Sequence, residues 1–207
     1  MPNWVSNTLR VKAKTEQELD AFLDAVNAHN DPTQQSFKSE YSSFDFNFNA
    51  IVPQPSNLFL DNLGAKEREM CKELNIPNWY DWNTDNWGTK WNACHTDLSH
   101  QSKKECTITF DTAWSFPTPV IYKMYEMFPH LKFNIFAIEE SHDFALEIDS
   151  KMRVRDLEPL YYVYDESYEK IYLHWDSDNY TWADDNGVEY DEYEDVEYAP
   201  KRLSRKL

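Results

Sequence analysis

The sequence predicts an α+β fold, with an antiparallel sheet covered on one face by two helices. Three observations predict it. Several segments alternate apolar and polar residues with the two-residue period of a strand, and two others repeat apolar residues at helical spacing. Strands and helices are mixed along the first 140 residues rather than segregated. Aromatic residues make up 16% of the 207 positions, enough large rings to fill a core, while only three glycines are present.

From Thr8 to Lys14, Leu9, Val11 and Ala13 alternate with Arg10, Lys12 and Lys14, which is a strand. Thr15 stands three residues before Glu18, the capping-box spacing that satisfies free amides at a helix start. Leu19, Phe22, Leu23 and Val26 then supply one apolar stripe. A loop broken by Asp31-Pro32 follows. Phe44, Phe46 and Phe48 alternate with Asp45, Asn47 and Asn49 and run into Ile51 and Val52, predicting a second strand that Pro53 and Pro55 stop. Residues 57–75 predict a helix burying Leu58, Leu63, Met70, Cys71 and Leu74. A strand at Cys106–Thr112 comes next. Thr118-Pro119 then marks a helix start, with Val120, Ile121, Met124, Tyr125 and Phe128 as its stripe. Leu131, Phe133, Ile135 and Ala137 alternate as a further strand.

This order is the split βαβ pattern of ferredoxin-like folds. Residues 1–140 are expected to form that domain, with an insertion at about 53–105 too long for a bare loop. Residues 141–198 read as an acidic, aromatic, β-rich extension. Phe144, Leu146 and Ile148 alternate there, Tyr161–Tyr164 and Lys170–Trp175 suggest a strand pair, and Asn186-Gly187 signals a turn. A basic tail at 199–207 is expected to be disordered.

Charge narrows the function classes. Thirty-seven acidic residues against twenty basic ones give a formal net charge of −17. Such a surface repels nucleic acid and anionic lipid and attracts basic protein surfaces, although high negative charge also simply keeps a protein in solution. Cys71, Cys94 and Cys106 make an odd count without paired spacing, which predicts a reducing compartment. The N-terminus lacks the charged and apolar regions of a signal peptide, and no apolar run approaches membrane-spanning length. A cytoplasmic location is expected.

Four separated segments, MPNWVSNTLRV, FDFNFNAIVPQP, NWGTKWNA and ITFDTAWSFPTPVI, occur in this order. Together they resemble a family of phage and conjugative-plasmid proteins typified by the plasmid protein YubB, described as carrying a ferredoxin-like domain. The resemblance covers about residues 1–140. It implies a mobile-element origin and a bacterial cytoplasmic setting. It supplies no catalytic residues, and the acidic C-terminal third lies outside it.

Four constellations could carry chemistry. Trp79, Trp82, Trp87 and Trp91, interleaved with Tyr80, Asp81, Asp85 and Lys90, could form a stacking surface, or could equally cover the sheet face that a one-sided helix layer leaves open. Trp4 and Trp114 are expected in the core. Cys94, His95, His100 and Cys106 do not have a recognised zinc spacing, so no metal is expected. Asp97, Asp111, Glu139, Glu140, His142 and Asp143 could pair as acid and base or hold magnesium, yet carboxylates are abundant enough to lie close by chance. No metalloprotease, nucleophile-elbow or phosphate-loop motif occurs, and no catalytic residue and no cofactor are expected.

The fourth constellation is the acidic stretch 176–198. Asp176, Asp178, Asp184, Asp185, Glu189, Asp191, Glu192, Glu194, Asp195 and Glu197 alternate with rings that include Tyr180 and Trp182, and no Lys or Arg interrupts them. Carboxylates presented this way can stand where DNA phosphates would lie on a basic partner. Fully extended, the stretch spans roughly 73 Å, so its charges fall about 7 Å apart, half as dense as one DNA strand. The expected function is therefore an accessory protein, not an enzyme, that binds a host protein with a basic surface and acts as a counter-defence or DNA-mimicking inhibitor. Neither direct nucleic-acid binding nor membrane association is expected, and a homodimer is compatible with the sequence. The competing expectation is a small metal-dependent enzyme or nucleotide-handling protein using carboxylates near the sheet edge.

Overall fold

A computed structural model describes residues 3–27, 44–141 and 144–156, together with the strands at 162–164, 170–175, 180–184 and 189–190. The first strand, β1 (Trp4–Lys12), sends Val5, Asn7, Leu9 and Val11 into the core. Helix α1 (Glu16–Val26) follows with Thr15 as its cap: the Thr15 hydroxyl accepts the Glu18 amide, and the Glu18 carboxylate accepts the Thr15 amide. Leu19, Phe22 and Val26 are its buried stripe.

The expected strand at 44–52 is absent. Phe46 makes a single bridge to Asn27, and the chain then turns into a short helix, α2 (Phe48–Ile51). The reason is visible at Asn47, whose side chain accepts the Asn49 amide at 3.0 Å and so starts a helix where alternation predicts an extended chain. Asp45 and Asn47 are buried along with the three phenylalanines, so the alternation does not separate a core face from a solvent face.

The expected helix at 57–75 contracts to α3 (Ala65–Glu73), with Gly64 at its N-cap, and α4 (Trp79–Asn86) follows. Of the five residues expected to be buried in this segment only Cys71 is. Met70 and Leu74 are exposed, and Leu58 and Leu63 are half-buried.

β2 (Cys94–Ser102) and β3 (Glu105–Ala113) form a hairpin, followed by α5 (Thr118–Met127), β4 (Lys132–Glu139), β5 (Ala145–Ile148) and β6 (Val154–Asp156). These strands make a six-stranded sheet in the order β2-β3-β1-β4-β5-β6, with every neighbouring pair antiparallel. β1 thus lies between β3 and β4, and the outermost place beside β3 falls to residues 94–102 rather than 44–52. A second, four-stranded antiparallel sheet has the order β10-β9-β8-β7, from β7 (Tyr162–Tyr164), β8 (Lys170–Trp175), β9 (Tyr180–Asp184) and β10 (Glu189–Tyr190).

One face of the larger sheet carries the core. Phe22 of α1 meets Phe128 beyond α5 at 5.1 Å and Phe133 of β4 at 5.4 Å, so both helices press on the same face. Phe46 and Phe48 extend that layer over Phe110 of β3, at 5.0 and 5.9 Å between ring centroids. By register the opposite face carries Ser6, Thr8, Arg10 and Lys12 of β1, with Thr107 and Asp111 of β3 and Asn134 of β4 beside them. Among the described residues no helix is long and apolar enough to cross a membrane.

Candidate functional site

Trp4 opens β1 directly across from Ala113 at the end of β3, and this end of the sheet gathers rings. The Trp4 ring lies 6.1 Å from Trp91 and 5.1 Å from His95. The Lys90 ammonium stands 4.4 Å from the centre of the Trp91 ring, a cation–π distance. Trp114, the residue after β3, is 52% exposed, and its amide donates to the Asn3 carbonyl at 2.9 Å.

The backbone here is strained. Trp114 has φ +74° and His95 has φ +50°, both in the left-handed region. Bulky side chains avoid it because Cβ meets a carbonyl oxygen, at a cost of about 1–2 kcal/mol each. At His95 the excursion coincides with a register shift between Cys94 and Asp97, a bulge that re-aims the imidazole. Gly88, with φ +78°, packs against the turn that follows Trp114. A Cβ there would lie 2.8 Å from Cδ of Pro119, and the Ser115 hydroxyl donates to its carbonyl at 2.5 Å.

Asp111 binds two partners in this corner. Its Oδ2 lies 2.9 Å from Nδ1 of His95, and its Oδ1 accepts the Ser6 hydroxyl at 3.0 Å. Serine, histidine and aspartate are all within reach, but the carboxylate occupies the middle. In an acyl-transfer triad the imidazole stands between hydroxyl and carboxylate and takes the hydroxyl proton. Here that proton points to the carboxylate, so the trio orients a ring and does not activate a nucleophile.

The other sequence-predicted acids do not converge on it. Asp97 is exposed on β2, and the buried Glu139 carboxylate accepts the Ser141 amide at 2.7 Å. Glu140 is exposed, with its amide on the Trp4 carbonyl. His142 and Asp143 lie outside the described residues. Among the described residues no group of three or more His, Cys, Asp or Glu is placed to hold a metal ion.

All three cysteines are buried and unpaired. Burial pushes the Cys94 thiol up to about 12, with the Asp111 charge adding to it, and burial alone does the same to Cys106. Both are protonated at neutral pH and chemically quiet.

The four tryptophans proposed as one surface are split by the fold. Trp87 is core: it is 2% exposed, its Nε1 donates to the Val52 carbonyl at 2.9 Å, and its ring meets Phe48 at 6.0 Å. Trp82 packs on Trp87 at 5.5 Å, on the helix-covered face and not on the open one. Trp79 is partly buried, with Nε1 donating to the Asp61 carbonyl at 3.2 Å. Trp91 alone joins the ring cluster. Conversely, Trp114 is exposed and Trp4 only half-buried, where aromaticity by itself placed both in the core. The cluster escaped sequence reasoning because only the β1–β3 register and the bulge at His95 bring its members together.

Of the acidic C-terminal set, Asp176, Asp178, Asp185, Asp191, Glu192, Glu194, Asp195 and Glu197 lie outside the described residues. Tyr180, Trp182 and Asp184 fall in β9 and Glu189 in β10. The backbone register sets Trp182 across from Tyr190 and from Leu173, and Glu189 across from Ala183.

No curated protein matches the chain. Among solved structures, the chain is similar to a protein api92 from Yersinia pseudotuberculosis at 8% identity and a TM-score of 0.44, over 73% of this chain and 96% of that one. Residues 86–146, from the end of α4 through β2, β3, α5 and β4 into β5, match the family model described as the ferredoxin-like domain in Api92-like protein.

Proposed function

We propose that the chain is an accessory protein of a phage or plasmid that binds a host protein with a basic surface through its acidic, aromatic C-terminal region. In its most specific form the proposal is an inhibitor that occupies the DNA-binding groove of a defence or DNA-handling factor. The observation that carries it is the charge distribution: ten carboxylates and no Lys or Arg between residues 176 and 198, in a chain of net charge −17. We take the body as a split βαβ unit whose second strand is residues 94–102 rather than 44–52, so the insertion ends before Cys94, and residues 141–198 as a β-rich extension whose first strands, β5 and β6, widen the same sheet.

Two features support this assignment. Strand pairing at β8–β10 offers a way to raise the charge density, since an extended stretch alone is about half as dense as one DNA strand. The exposed Trp114 and half-buried Trp91 are the kind of ring that anchors interfaces, because a large apolar area is presented with few rotatable bonds.

The test compares the full chain with a variant in which Glu189, Asp191, Glu192, Glu194, Asp195 and Glu197 become their amides. Each is immobilised and exposed to bacterial lysate from about 0.05 M to about 0.5 M salt, the range over which charge-driven contacts weaken. A protein retained at low salt, released at high salt, displaced by duplex DNA and lost on the amide variant is the expected result. Retention that is the same for both chains, or unaffected by salt, excludes the acidic region as the contact.

A further inference from the structure

The end of β1 away from Trp4 has the opposite chemistry. Lys12 lies directly across from Lys132 of β4 on one side and Glu105 of β3 on the other, with which it forms an ion pair. Arg10 lies across from Asn134 and Thr107. Between these strands a cavity of about 300 Å³ opens on the sheet, lined by Arg10, Lys12, Lys132, Glu105, Gln101 and Asn134 among others.

Three features of this cavity point to a ligand. The first is charge: three cations line it against one carboxylate, which pairs with Lys12, in a protein whose acids outnumber its bases almost two to one. The second is the Lys12–Lys132 pair. Residues directly opposite in an antiparallel ladder have Cβ atoms about 5 Å apart, and like charges placed so destabilise the sheet. An oxyanion between them reverses the sign of that interaction. The third is the lining, where amide side chains of Gln101 and Asn134 offer neutral donors and acceptors beside the cations, the mixture that fixes orientation in small-molecule sites. The guanidinium of Arg10 suits a phosphate oxygen pair in particular, since its planar fork matches that geometry.

We propose that this cavity binds a small phosphorylated molecule, with the phosphate held by Arg10, Lys12 and Lys132. Size and field both favour a small ligand over a nucleic acid. The volume is at the low end of ligand sites, and the negative field of the whole protein repels an extended polyanion more than a single phosphomonoester. The proposal is independent of the acidic C-terminal region.

The full-length chain is melted in sodium phosphate, ribose 5-phosphate, adenosine 5′-monophosphate and a short DNA duplex, each against sodium chloride at equal ionic strength. A saturable rise in Tm with inorganic phosphate and at least one monoester is expected, since a ligand that binds only the folded state stabilises it. If ribose 5-phosphate or the nucleotide exceeds inorganic phosphate, the cavity reads more than the phosphate itself. Lys132→Gln should weaken the apparent affinity about tenfold. Lys132 is exposed and the substitution removes the like-charge pair, so the unliganded variant should melt no lower than the parent. Lys66→Gln, on exposed α3, changes net charge equally and should leave phosphate binding intact. Equal shifts in phosphate and chloride, equal affinity in Lys132→Gln, or tighter binding of the duplex than of any monoester would each overturn the proposal.

Discussion

The two ends of β1 share a strand, a sheet and a core, yet they are built by different rules. At the Trp4 end rings crowd together, two bulky residues hold left-handed backbone, and Asp111 is taken up by Ser6 and His95. At the Lys12 end β1 keeps unbroken register with both neighbours, β2 shifts register between His100 and Ser102, and cations line a cavity in which Glu105 pairs with Lys12. What the ends have in common is the inward set, Val5, Asn7, Leu9 and Val11. The core fixes alternate residues and leaves the residues between them to local chemistry. Left-handed aromatic residues therefore collect where rings must be aimed, and an excess of cations collects where β1 itself keeps plain register.

The largest effect that separates inward from outward positions is a core truncation. Leu9→Ala should lower the unfolding free energy by about 3–5 kcal/mol, the range for a fully buried leucine in a site that cannot collapse. Thr109→Ala, on an exposed position of the neighbouring strand, should change it by less than about 1 kcal/mol. Urea titrations with unchanged slopes measure both. Comparable losses from the two variants would mean that the open face is as tightly packed as the covered one.

A smaller effect belongs to the Lys12 end, where Asp149 adjoins Ser150 of the cavity wall. Burial alone would raise the Asp149 carboxyl. Hydrogen bonds from the Arg153 side chain and amide and from the Lys151 amide outweigh it, with the Arg153 charge adding, and hold the group below its usual range. A depressed carboxylate contributes stability above its unfolded pKa of about 3.9, and that contribution is lost as pH falls through the folded value. Acid unfolding of the parent should therefore steepen below about pH 4, while Asp149→Asn should be less stable at neutral pH and flatter below about pH 4. Parallel acid limbs for the two chains would show that the carboxylate is not held this way.

The fold was legible where packing and local geometry demand the same residues. β1, α1, β3, α5 and β4 each show one apolar side at the right period, and the Thr15–Glu18 cap could be read directly. Residues 44–52 misled because three alternating phenylalanines look like a strand, while Asn47 caps a helix that buries the same rings. β2 was missed for the opposite reason. It is an edge strand whose inward residues are Cys94, Thr96 and Leu98, a weakly apolar set, and its second half is exposed throughout. Neither surface at the two ends of β1 was legible, since each is assembled by register between strands about 100 residues apart. Charge totals could not reveal a cationic cavity in an acidic chain.

The smallest predicted effect is the sharpest at the Trp4 end. Trp114 combines exposure with a left-handed backbone, so the fold gains little from its ring and carries the strain of its Cβ. Glycine has no Cβ and adopts that φ freely, although it loses more backbone entropy on folding, by about 0.5–1 kcal/mol. Alanine keeps the strain and loses the ring. Trp114→Gly should therefore be more stable than Trp114→Ala by roughly 1 kcal/mol, the strain of about 1–2 kcal/mol less the entropy term. It should also fall within about 1 kcal/mol of the parent. Thermal and urea unfolding of the three chains give the order. If alanine is the more stable replacement, the backbone at residue 114 is not left-handed and the ring is not being held outward against a cost. If glycine is, the tryptophan is retained for something other than folding, and a partner that loses affinity for both variants alike identifies the ring as its contact.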